Sequence, residues 1–162
     1  MLRRAIVPML AFSLATMALA APVSAKWPPW LSIESPVNPF DRTTRGALLL
    51  VHATVREGTT SVADLSGTAE GIVAGARRSV AFRFDTTSRP GVYAVTRQWP
   101  SEGDWLLRIT LLGNTTALVT LDRFGQVSGV SLPTQAVAGG RIPRPVTTRE
   151  IDSTLAVLTA RR

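Results

Sequence analysis

The chain has 162 residues, no cysteine, and 18 Lys and Arg against 11 Asp and Glu, for a net charge of +7. Without cysteine there is no disulfide framework and no thiolate for copper(I) or an iron-sulfur cluster. Beyond residue 25 only Arg77-Arg78 and Arg161-Arg162 are adjacent basic pairs, so the clustered basic face that nucleic-acid binding needs is not written in the sequence.

Residues 1–25, MLRRAIVPMLAFSLATMALAAPVSA, set Arg3 and Arg4 before an apolar run that ends in small residues. That is the layout of a secretory signal. The small-x-small rule allows cleavage after Ala20 or after Ala25; the second leaves a polar spacer and starts the mature chain at Lys26. Pro8, Ser13 and Thr16 break the run below the roughly 20 continuous apolar residues of a membrane span, so no stable membrane insertion is expected after cleavage. Residues 1–25 hold two of the basic residues, none of the acidic ones and all three methionines, leaving a sulfur-free single domain of net charge +5. Its expected location is the periplasm or the exterior of a bacterial cell.

Residues 26–45, KWPPWLSIESPVNPFDRTTR, carry prolines at 28, 29, 36 and 39. Proline withholds ladder hydrogen bonds, so this stretch is expected to be an N-terminal arm outside the core sheets. Trp27, Trp30 and Phe40 punctuate it. Two readings stand: the aromatics pin the arm to the domain, or they form an exposed docking segment for a partner.

The strands of an expected sandwich occupy residues 46–132. Ala47 to Arg56 alternates, with Leu49, Val51 and Ala53 on one face and Leu50, His52 and Thr54 on the other. A polar loop at Gly58 to Ser61 leads to Leu65–Ala74, where Gly67, Ala69, Gly71 and Val73 share a face whose small residues admit a close approach of the opposing sheet or mark bulges. Arg78–Asp85 alternates Val80, Phe82 and Phe84 with polar neighbours, as a half-buried antiparallel strand does.

Arg89–Thr110 reads as a hairpin turning at Pro100–Asp104, with Tyr93 and Val95 inward on its first strand and Trp105, Leu107 and Ile109 on its second. Arg97 shares parity with Tyr93 and Trp99, so either a bulge resets the register or the strand has left the core; the bulge is the preferred reading. Thr115–Leu121 and Val127–Leu132 complete about seven strands joined by short turns.

Residues 133–146, with Gly139-Gly140 and prolines at 143 and 145, read as a loose linker. Thr147 then stands three residues before Glu150, a capping box opening a helix through about Ala160. Ile151, Leu155 and Leu158 make its apolar stripe. Thirteen or so residues form a marginal helix in isolation, so the stripe is expected to dock, either on the sandwich or on a partner.

The chemistry that can be placed is sparse. His52, the one histidine, has no patterned nucleophile or second ligand beside it, so no triad or metal site is read there. Glu102 and Asp104 supply too few oxygens to hold calcium alone and suit a turn. Trp99 and Trp105 flank that turn and suit either packing or a carbohydrate-stacking platform; the inward parity of Trp105 favours packing. No catalytic residue, metal or cofactor is expected.

Gly91-Val92-Tyr93-Ala94-Val95 resembles the tyrosine corner of immunoglobulin-like sandwiches. With Gly103-Asp104-Trp105-Leu106-Leu107 it is similar to the G-x-Y … G-x-W-x-L pattern of small exported bacterial Ig-like modules of the YtkA and FixH type. The resemblance implies an all-β, immunoglobulin-like antiparallel sandwich with, here, a short C-terminal α-helix. Some relatives of that type are associated with metal handling or with assembly of respiratory oxidases. Copper-binding members of neighbouring families use histidine and methionine, of which the expected mature chain keeps only His52. The resulting expectation is a non-catalytic module that binds another envelope protein through Trp27, Trp30, Phe40, Trp99, Ile151, Leu155, Leu158 or an exposed edge strand. The alternative is a ligand-binding accessory, for carbohydrate or for metal in envelope redox-enzyme assembly.

Overall fold

The computed structural model describes residues 28–55 and 60–160. The expected signal sequence, Trp27 and residues 58–59 of the polar loop lie outside the described residues. Two antiparallel sheets face each other. The first has strand order β1 (Trp30–Glu34), β2 (Leu49–Thr54), β6 (Val92–Val95), β5 (Asp85–Thr86). The second runs β4 (Ala76–Phe82), β3 (Leu65–Val73), β7 (Asp104–Leu111), β8 (Thr115–Leu121), β9 (Val127–Ser131). Leu31, Val51, Tyr93 and Val95 from the first sheet meet Trp105, Leu107, Ile109, Ala117 and Val119 from the second in one buried cluster. Each large side chain so buried contributes roughly 1.5–3 kcal/mol, which is how a chain without disulfides holds two layers together.

Several expectations are corrected. The arm is not outside the sheets, because its prolines bracket the run Trp30–Glu34 instead of interrupting it, and β1 pairs with β2 in a regular register, Leu31 opposite Ala53 and Ile33 opposite Val51. The Arg89–Thr110 stretch is not a hairpin: β6 and β7 belong to opposite sheets, and residues 96–103 cross between them. Alternation reports which face a residue lies on and is silent about the neighbouring strand. No bulge resets the register either; the backbone leaves the first sheet at Val95, and the crossing segment carries Trp99 into the core beside Phe82, ring centroids 5.4 Å apart.

Arg78–Asp85 likewise splits into β4 and β5 at a corner where the chain changes sheets, with Phe82 and Phe84 both turned inward and 5.3 Å apart. The linker expected at 133–146 holds a two-stranded ribbon, β10 (Thr134–Val137) with β11 (Gly140–Pro143), turning through Gly139 at φ +93°. Nine strands therefore form the sandwich where about seven were expected, and the ribbon adds two among the described residues.

The glycines of β3 also serve a different neighbour from the one expected. A Cβ on Gly67 would overlap the ring of Phe82, and one on Gly71 the indole of Trp105; both rings belong to adjacent strands of the same sheet. The expected helix forms, α1 (Thr148–Ala160), and Thr147 and Glu150 exchange the two bonds of a capping box. Ile151 and Leu155 are buried against Leu106 and Leu118 on the outer face of the second sheet. Arg77 fastens the helix from β4, 2.5 Å from Asp152 and 3.7 Å from the buried carboxylate of Glu70.

Candidate functional site

The outer face of the first sheet is built from the arm. Past β1 the chain turns through a cis peptide at Ser35-Pro36 and folds back, so that Val37 and Ala47 pack on Leu50, Val92 and Ala94. Asp41 caps the short helical turn Arg42–Thr44, accepting from the Thr43 amide at 2.9 Å and its hydroxyl at 2.7 Å. Those bonds, the Thr43 hydroxyl first, hold the Asp41 carboxyl below its usual range. Small aliphatic residues thus fasten the arm. Of the arm's aromatics, Trp30 is 48% exposed and Phe40 90%.

On the uncovered part of this face, His52 Nε2 lies 2.8 Å from Glu34 Oε2 across the β1–β2 ladder, and Arg89 Nη2 stands 3.7 Å from the same oxygen. The sequence held no hint of this pairing, because Glu34 lies 18 residues away in a stretch read as an arm. Histidine and glutamate are each about one-third exposed, and such pairs contribute roughly 0–1 kcal/mol. Ser32 sits directly opposite His52 in the register. Acyl transfer needs the hydroxyl on one ring nitrogen and the acid on the other; among the described residues the imidazole's partner is Glu34, and that set is not assembled. Nor do three of His, Cys, Asp and Glu come together among the described residues.

The four sheet edges differ in a way that bears on binding. Natural edges are blunted by charge, short length or irregularity. β4 carries Arg77 and Arg78, β5 has two residues, and β9 is offset by a register shift at Thr120/Leu121. Among the described residues β1 is regular, is paired on one side only, and turns its single charge, Glu34, onto His52. Trp30 stands at its start.

The other named residues are placed as follows. Trp99 and Trp105 are core residues, 4% and 3% exposed, and cannot form a stacking platform. The Trp105 indole donates to the Glu102 carbonyl at 2.8 Å, while Trp99 Nε1 is buried without a partner among the described residues. Ile151 and Leu155 are spent on the chain's own sheet and Leu158 is partly buried beside them. Tyr93 donates its hydroxyl to the carbonyl of Thr60, whose own hydroxyl bonds Ala53 O at 2.9 Å. In immunoglobulin-like folds the corner tyrosine bonds backbone a few residues upstream; here the acceptor lies 33 residues earlier.

No protein-family model, no curated protein and no solved structure matches the chain. Among the described residues no helix is long and apolar enough to cross a membrane.

Proposed function

We propose that the chain is an exported, non-catalytic immunoglobulin-like module of the bacterial cell envelope that binds another protein by accepting an extended segment along β1. The observation that supports this reading is the contrast among the edges: three are blunted, and the fourth is regular and carries a half-exposed tryptophan. Strand addition draws affinity from backbone hydrogen bonds and specificity from alternate side chains. Tryptophan is among the residue types enriched at the positions that dominate the binding energy of protein interfaces. The alternative of helix-mediated binding loses its motive, since the apolar stripe of α1 is already covered.

Quantitative co-purification from envelope extract tests the reading with three forms of the mature protein. Wild type and Val157→Ala, a change on the exposed side of α1, are expected to retain the same partner. Trp30→Ala is expected to lose it while keeping the wild-type melting temperature. Retention by Trp30→Ala would remove β1 from the account.

A further inference from the structure

The outer face of the second sheet is divided between two surfaces. Leu106 and Leu118 lie under α1. Toward the turn between β7 and β8 the helix no longer reaches, and the residues become polar. Ser66, Thr110 and Thr116 stand in register across β3, β7 and β8, and Thr68 faces Arg108 on the next rung. Pro145, on the segment that enters α1, walls this area into a cavity of about 230 Å³ in which Arg108 is the only charged lining residue among the described residues.

The polar groups there are under-used. A guanidinium offers five N–H donors, yet among the described residues the acceptors nearest Arg108 Nη2 are Thr68 Oγ1 at 3.5 Å and Glu70 Oε1 at 3.7 Å. Both exceed a good hydrogen-bond length. Glu70 is shared with Arg77 at the same distance, so it positions Arg108 from behind without saturating it. Thr116 is 1% exposed, and among the described residues its hydroxyl has only Thr110 Oγ1 at 3.4 Å, long for an O–H···O bond.

We infer that this cavity binds a small hydroxylated carboxylate of the chemistry of a single sugar acid. The planar fork of arginine matches a carboxylate in two parallel bonds. One arginine balanced by Glu70 suits a monoanion better than a phosphate dianion. The row of hydroxyls both donates and accepts, as a polyol requires. The volume falls below the roughly 300–1,000 Å³ of pockets for drug-sized ligands, which limits the occupant to about one ring. This site lies on the opposite sheet from β1 and stands independently of the protein-binding reading.

The test is amide chemical-shift titration of the mature protein with glucuronate, glucose, acetate and sulfate. Glucuronate is expected to shift the amides of residues 66–68, 108–110 and 116 and to bind at least tenfold more tightly than each of the other three. Arg108→Gln should weaken it at least tenfold. Thr116→Val, which keeps the shape of the buried side chain, should weaken it severalfold with an unchanged melting curve. A glucuronate-terminated trisaccharide separates the two sources of such a group: equal binding assigns the site to a polysaccharide end, and lost binding to the free acid. No shifts at millimolar glucuronate, equal affinity for sulfate, or undiminished binding by Arg108→Gln would each overturn the proposal.

Discussion

The indole of Trp105 occupies the space that a side chain on Gly71 would fill, one strand away in the second sheet. The aromatic covers a bare stretch of backbone, a device that offsets the weakness of glycine within a strand. Gly71→Ala forces the ring or the strand to move. Overpacking of this kind costs typically 1–3 kcal/mol. Urea denaturation is expected to show the loss as a lower midpoint with an unchanged slope, and Gly67→Ala, under Phe82, should behave alike.

Tyr93 is the only tyrosine in the chain, so its phenol can be followed without interference. Burial first, and the nearby Asp64 carboxylate second, push its pKa above 10.0. The neutral form is the one the fold favours. That contribution is present below the unfolded value and is lost as pH rises through the folded one. Ultraviolet titration of the native protein should therefore give a higher midpoint than the urea-unfolded chain. Tyr93→Phe, which strands the buried Thr60 carbonyl, should cost about 1–3 kcal/mol.

Glu150 behaves in the opposite sense. The Arg144 guanidinium, 2.5 Å away, and then the Thr147 amide and hydroxyl lower its pKa from 4.5 to about 2. The charged form stabilises the start of α1, so this contribution is present above about pH 4.5 and is lost as pH falls through about 2. Glu150→Gln is expected to melt below wild type at pH 7. The difference should close between those two values, as followed by circular dichroism.

Leu155 tests whether the helix belongs to the domain. Truncation of a buried leucine costs roughly 2–5 kcal/mol, and Leu155→Ala should speed amide exchange in α1 and on the outer face of β7. Val157→Ala, on the exposed side, should change neither.

How much of this was legible depended on whether the information was local. Thr115–Leu121 and the Thr147–Glu150 capping box could be read because alternation and cap chemistry are properties of a few consecutive residues. The partition of strands between sheets could not, since Tyr93 and Trp105 alternate inward whether their strands pair or face each other. The place of Trp99 stayed open between packing and binding because the crossing segment that buries it has no period. Ser66, Thr110 and Thr116 escaped notice because a row across three strands exists only after registration. The edge contrast was half visible, in the proline-free run Trp30–Glu34, but prolines on both sides made it look like arm.

The central claim is that β1 receives the partner, and photo-crosslinking in living cells tests it most directly. A photoreactive phenylalanine analogue placed at Trp30 is expected to give one discrete adduct with an envelope protein, while the same group at Val157 gives none. An adduct from Val157 with no adduct from Trp30 would contradict the account.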